Sequence, residues 1–557
     1  MEKKIDIAEF YSGKTIFVTG VSGFIGKVLV WKLLNSCPKL EKIYVLLRPK
    51  RGKLAQHRLE ELLQTPIFNN FRHSNPKIFQ KLSAIAGDIG QPNLGISVGD
   101  EQKLLNEVHI VYHIAAILTL DANLKAAVNM NVTGTFALLK LAKNMSKLEC
   151  FVHTSTAYCH CDIPVMEEKI YPARHNPYDI MELVRWMDNE TLDSITQSLL
   201  KPHPNSYTYS KRLAENVVNS FYPELPIVIA RPSIVVAAWQ EPIPGWVDNL
   251  NGPTGLLIGA GKGVIRTMHC NGNLEADLIP VDVVCNGMIA IPWKILNTPK
   301  PKHIPVFNLT QYETESIKWG EVIELGKKSI GECPFEMVLW YPGGGIYANY
   351  YVHFILSVLL HWIPAYFLDS LLFLVGRKPF LVHVQKKVYH GQKVLSYFTT
   401  RNWFFDKTNL DDLKNSLSPA DQITFKVSLN GFERAPYLMN SIQTVRKYLL
   451  KEDPNSIPKC KRRMKILYVL DVAVKESVFH SYNPNTDHLP NSCANDITPA
   501  DKRNANKRSW HLLGIVCTLL RCLHGNNLLQ WYDQILATKL HYIASDDDSP
   551  VGMGWMY

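Results

Sequence analysis

Thr15-Ile-Phe-Val-Thr-Gly-Val-Ser-Gly-Phe-Ile-Gly26 is the stretch on which the fold turns. Its first five residues suit a short buried strand, and Phe24, Val28 and Trp31 then recur at helical spacing. Between strand and helix stand Gly20, Gly23 and Gly26. Glycines there let the backbone turn tightly and approach a pyrophosphate, whose charge faces the free amides at the helix N-terminus. A glycine-rich loop alone marks many tight turns. With a strand before it and a helix after it, this one predicts a dinucleotide site that includes Ser22, Phe24 and Ile25.

Working outward, Lys42–Leu47, Val108–His113, Glu149–Thr154 and Leu225–Ala230 are further short apolar runs separated by helical stretches. The alternation predicts an α/β fold, a Rossmann-type doubly wound parallel sheet with helices on both faces. The 557 residues exceed one ordinary core, and 46% hydrophobic against 20% charged residues excludes global disorder. No self-similar period runs along the chain, which excludes a repeat array. The net charge of +10, from 60 basic and 50 acidic residues, suits a phosphate-bearing partner or a membrane surface without selecting one. No nucleic-acid partner is expected. Eleven scattered cysteines predict reduced thiols and a cytosolic face, and Met1-Glu-Lys-Lys-Ile-Asp6 lacks the apolar segment of a signal peptide.

The second strand bears on which dinucleotide binds. An NAD site usually ends this strand with an acid for the ribose hydroxyl, whereas here it runs into Arg48-Pro-Lys50. Arg48 can clamp a 2′-phosphate with its planar donors, so the expected cofactor is NADPH; the bland alternative is a solvated loop. Asp88 and Ile89 follow a third strand and Ala115 a fourth, with Asp88 either accepting from the adenine amine or serving as a turn residue.

Tyr207 and Lys211 are four residues apart, hence on one face of a helix. A phenol is a poor acid–base group at neutral pH, and a neighbouring ammonium favours the phenolate. Tyr-x-x-x-Lys occurs often on solvated helices. The upstream glycine loop, and Thr154-Ser155-Thr156 at the end of an intervening strand, favour catalysis, since a hydroxyl there can donate a second hydrogen bond to a reacting oxygen. His153, Cys159, His160 and Cys161 are clustered ligand types without a matching second pair, and no metal is expected.

At these residues the chain resembles the alcohol-forming fatty acyl-CoA reductases, a branch of the extended short-chain dehydrogenases, and especially their insect members. The resemblance rests on Thr19–Gly26, Ser155-Thr-Ala-Tyr158, Tyr207–Lys211, Arg231-Pro-Ser-Ile-Val235, Glu241–Asn249, Asn251–Pro253, Gly259–Gly263 and Ile279–Asp282. Gly376–Pro379 and Tyr397–Thr400 extend it into a C-terminal domain, for a span of about Phe10 to Lys459. It implies reduction of a long-chain acyl-CoA by two NADPH, through an aldehyde, to a primary alcohol with release of CoA. It also implies Ser155 as the hydroxyl beside Tyr207, and Arg231, Pro232 and Ser233 among the cofactor contacts. Two departures stand out: Val21-Ser22 in place of the usual Ala-Thr, and a polar tail where relatives end in hydrophobic segments. Competing readings are another extended reductase acting on a sterol or sugar nucleotide, and a silent NADPH-binding scaffold at a membrane.

The expected divisions are a reductase domain over 10–345, a helical C-terminal domain over 346–450 and a basic, then polar tail over 451–557. The 51-residue insertion between Ser155 and Tyr207, which contains Pro164, Pro172 and Trp186, and the stretch Trp239–Asn251 are either acyl-chain walls or plain core. The region from Trp239 to about Pro342 reads as loops and small elements. The apolar run Tyr351–Val375 is long enough to cross a bilayer, but His353, His361, Pro364 and Asp369 are unfavourable at its centre; it spans, lies in the interface or is buried core. Trp510–Leu523 is shorter than the roughly 20 apolar residues a crossing needs, and Gly554-Trp-Met-Tyr557 is not a peroxisomal Ser-Lys-Leu signal. Membrane association with a cytosolic catalytic domain is expected, at the endoplasmic reticulum rather than the peroxisome.

Overall fold

The computed structural model describes residues 5–49, 52–311 and 316–482. Its centre is a seven-stranded sheet formed by β1 (Thr15–Thr19), β2 (Lys42–Leu47), β3 (Leu82–Ala86), β4 (Ile110–His113), β5 (Cys150–Thr154), β6 (Ile227–Pro232) and β7 (Val306–Leu309). All pairings are parallel and the order is β7-β6-β5-β4-β1-β2-β3. The order reverses between β1 and β4, so a ligand crevice opens at their carboxyl ends. Thr15 to Thr19 are all buried, as expected of a strand covered on both faces. One apolar cluster packs each face: Val18, Leu29 and Trp293 belong to the first, Phe17, Val132 and Leu213 to the second.

Helix α1 (Phe24–Ser36) follows the glycine loop, and α2 (Ser206–Ser220) carries Tyr207 and Lys211. The region expected as loops contains a long helix, α3 (Val281–Leu296), buried continuously from Val281 to Trp293 and packed on α1. A helix buried on every side, Asp282 and Asn286 included, shows little amphipathic period, and Pro292 within it reads as a breaker. The same region supplies the edge strand β7.

The C-terminal part is woven into the sheet domain. Phe404–Phe405 pairs in parallel with Val165–Met166. Glu168 accepts from the amides of Asn308 and Asn409, at 2.8 and 2.5 Å, and the Ile7 amide meets the Asp421 carboxylate. A continuous helical segment, α4 (Tyr350–Leu374), precedes α5 (Leu381–Thr399). The segment expected as a tail begins with another helix, α6 (Ile457–Tyr482), docked through the buried Met464 and Leu467 and an Asp471–Arg266 ion pair. Trp510–Leu523 lies outside the described residues.

Candidate active site

The glycine loop is shaped by close approach. Gly20 has φ +77°, and a Cβ there would stand 2.6 Å from the Ala115 amide nitrogen; a Cβ on Gly26 would stand 2.3 Å from the Gly20 carbonyl oxygen. Thr19 locks this contact, its hydroxyl accepting from the Ile114 and Ala115 amides at 3.2 Å and meeting His113 Nδ1 at 2.8 Å. Ser22 and Gly23 remain exposed, Phe24 and Ile25 half-buried, and no side chain caps the N-terminus of α1. Open amides at a helix N-terminus in a floor only glycine permits fit a pyrophosphate.

At the neighbouring strand ends Arg48 and Asp88 lie 3.8 Å apart. Asp88 also turns its own loop by accepting from the Gly90 amide. Arg58, which the sequence reading passed over, donates to the Arg48 carbonyl, and burial followed by the Arg48 charge lowers its pKa. Two guanidinium groups thus stand close together at the carboxyl end of β2. A lone arginine ten residues downstream carries no sequence signal for this placement. Lys50 lies outside the described residues. Ile89 is buried against Gly134, where a Cβ would come within 2.2 Å of its side chain.

Asn205 caps α2, accepting from the Thr208 amide at 2.9 Å. Tyr207 and Lys211 follow one turn apart, and Lys211 Nζ donates to the Thr154 carbonyl at 2.7 Å. Burial pulls Lys211 down to about 8, opposed by Cys159 and Glu215. Burial likewise pushes the Tyr207 phenol above its usual value, and the Thr156 hydroxyl acts against that shift. Thr156, not Ser155, is therefore the hydroxyl that faces Tyr207. Ser155 Oγ is buried without a hydrogen-bond partner among the described residues. Alternate residues leaving a strand face opposite sides, so of three consecutive hydroxyls the middle one points away. Asn131, also unforeseen, lies in a π-helical turn and ties Ile117 to Ser210, the neighbour of Lys211 on α2.

Arg231 and Ser233 are placed elsewhere than expected. The Arg231 guanidinium is fully buried, donating to both Glu215 oxygens at 2.8 and 2.6 Å and to the Glu167 and Lys169 carbonyls. A guanidinium so engaged has no face left for a cofactor. Ser233 donates to Asp277 at 2.7 Å, which leaves the backbone near the buried Pro232 as the part of this motif at the carboxyl end of β6. Cys159, His160 and Glu215 place their ligand atoms within 4.8 Å of one another. Arg231 already occupies that carboxylate, a fixed cation where a metal would bind. Burial alone would raise the Glu215 carboxyl; Arg231 and then His160 outweigh it and hold it well below the usual range.

The C-terminal part forms one wall. Phe398, Trp403 and Phe405 surround the Tyr158 ring at centroid distances of 5.4–5.5 Å, two residues beyond Thr156. Trp186 is 68% exposed and stands apart from that cluster.

Two family models, both described as male sterility protein, match residues 18–288 and 360–452. The chain is 38% identical over 460 residues to fatty acyl-CoA reductase 1 of Rattus norvegicus, covering 83% of this chain and 89% of that one. It is 39% identical over 461 residues to fatty acyl-CoA reductase 2 of Homo sapiens, with the same coverage. Among solved structures it is similar to the terminal R domain of the myxalamid pathway, with TM-score 0.49, 18% identity, and 79% of this chain and 91% of that one covered. The matched domain over residues 18–288 is a nicotinamide-dinucleotide-binding one. By identity and coverage together, the chain belongs to the fatty acyl-CoA reductase family.

Proposed function

We propose that this chain reduces long-chain fatty acyl-CoA to a primary alcohol with two NADPH, releasing CoA, on the cytosolic side of the endoplasmic reticulum membrane. The observation that carries the reading is the grouping of Tyr207, Lys211 and Thr156 beside the open glycine loop. The glycine loop of Gly20, Gly23 and Gly26 would hold NADPH, which when bound there would supply hydride to the carbonyl carbon. As charge develops on the carbonyl oxygen, the Tyr207 phenol and the Thr156 hydroxyl donate hydrogen bonds to it, a contribution that is often dominant. Loss of the CoA thiolate leaves an aldehyde, which the same two donors hold for a second reduction. Tyr207, kept protonated by burial, then gives its proton to the alkoxide. Lys211 holds positive charge beneath the phenol, fixed to the Thr154 carbonyl.

NADPH rather than NADH is supported by Arg48 and Arg58 at the carboxyl end of β2, where an acid would serve NAD. Arg48→Ala should raise the KM for NADPH roughly 10–100-fold, the loss of a charge-assisted hydrogen bond, and leave the KM for NADH nearly unchanged. Purified protein with palmitoyl-CoA should consume two NADPH per CoA released and yield hexadecanol. One NADPH per CoA with free aldehyde would change the reaction, and NADPH binding without turnover would favour a scaffold.

A further inference from the structure

The polarity of α4 is inverted. A helix on the surface of a soluble protein turns its apolar stripe inward and its polar residues to water. In α4 the histidines and the one carboxylate, His353, His361 and Asp369, face the protein. His353 Nδ1 meets the Thr267 hydroxyl at 3.1 Å, and His361 Nε2 accepts from the Arg266 amide at 2.8 Å. Asp369 accepts from the amides of Phe380, Leu381 and Val382, capping the start of α5. The opposite face carries Tyr351, Ile355, Leu359, Ile363 and Phe367 at four-residue steps, each exposed, from 75% at Tyr351 to 49% at Phe367. The stripe continues through Phe373 and Leu374. Most of α4 is left unburied, and at about 1.5 Å per residue the stripe from Tyr351 to Leu374 is roughly 35 Å long.

Charge frames this stripe. Between positions 345 and 405 the sole acid is Asp369, already engaged as a cap, while Arg377, Lys378, Lys386 and Lys393 are exposed. Helix α6 joins the same surface through Arg266, whose side chain pairs with Asp471 at 3.0 Å while its amide holds His361. One face of α6 exposes Arg462, Lys465, Ile466 and Val469, cations leading into apolar residues. An apolar strip bordered by cations and containing tyrosines matches the layered chemistry of an anionic bilayer surface. Two such faces brought together as a dimer would set like charges against each other.

We infer that the outer faces of α4 and α6 lie flat in the headgroup–acyl boundary of an anionic membrane, so that the chain is monotopic at α4 and does not cross there. This deepens the membrane location proposed above and rests on it. Crossing would surround α4 with lipid and strip His353, His361 and Asp369 of the partners that hold them. Lying flat keeps every one of those contacts.

The test is flotation of the full chain with phosphatidylcholine vesicles, with and without phosphatidylserine. Octanoyl-CoA reduction in free solution is measured alongside to read the fold and catalytic site. The wild type should float with the anionic vesicles and less with phosphatidylcholine alone. Ile355→Glu combined with Ile363→Glu should lower partitioning about tenfold or more and leave octanoyl-CoA reduction unchanged. Arg377→Glu with Lys378→Glu, which spares the apolar stripe, should lower binding to anionic vesicles only. Flotation of the apolar-face variant at the wild-type level would overturn the inference. So would a wild type that does not float, or one whose dimer those substitutions dissociate. Flotation as expected without turnover of any acyl-CoA would sink the catalytic reading and leave the membrane face standing.

Discussion

At Thr156 and Ser155 one residue of sequence separates two very different environments. Thr156 faces the Tyr207 phenol, whereas Ser155 Oγ is buried without a hydrogen-bond partner among the described residues. Thr156→Ala should therefore lower kcat about 100-fold, the usual loss of one oxyanion donor, while Ser155→Ala leaves kcat near the wild-type value. Steady-state kinetics on the two variants checks the assignment, and equal losses would refute it. Lys211 adds a pH signature. With its ammonium titrating near pH 8 rather than near the ordinary 10.5, kcat/KM should fall as pH rises above about 8. Its effect on stability has the opposite sign. Between these two values the unfolded chain binds the proton that the folded chain has lost, so the stability contributed by this group rises with pH. A pH–rate profile and urea titrations across the same range read the two trends separately.

Among the elements, α2 is held against the sheet by a buried polar knot. Arg231 reaches from β6 to Glu215, one turn beyond Lys211, and His160 joins from the turn that follows Thr156. The knot thus fixes the donor hydroxyl and the catalytic helix relative to each other. Removing one partner leaves an uncompensated buried charge, so Arg231→Met should cost about 3–5 kcal/mol in urea unfolding. A second change, Glu215→Leu, should recover part of that loss. Elements with strong local patterns were legible in the sequence: β1, the glycine loop and the four-residue spacing of Tyr207 and Lys211 follow from period and punctuation alone. Elements whose character depends on distant partners were not. Helix α3 has no solvent face from Val281 to Trp293 to reveal it, and β7 becomes a strand only by meeting β6. Arg231 carries a motif but not its partner, and the partner decides that it builds structure rather than binding cofactor.

For the molecule as a whole, the two regions matched by separate family models form one cooperative body. Strand pairing at Phe404–Phe405, the Glu168 contacts to Asn308 and Asn409, and the Ile7–Asp421 contact stitch residues far apart in sequence. Differential scanning calorimetry of the full chain should show both regions melting in a single transition; two resolved transitions would contradict this. The late position of β7 also has a consequence for biosynthesis. β6 ends at Pro232 and its partner begins at Val306. At about 5–20 residues per second of synthesis, the growing chain carries the bare edge of β6 for on the order of 4–15 seconds before the strand that covers it has been made. That interval is an opening for chaperones on the ribosome, and for mispairing with another nascent chain.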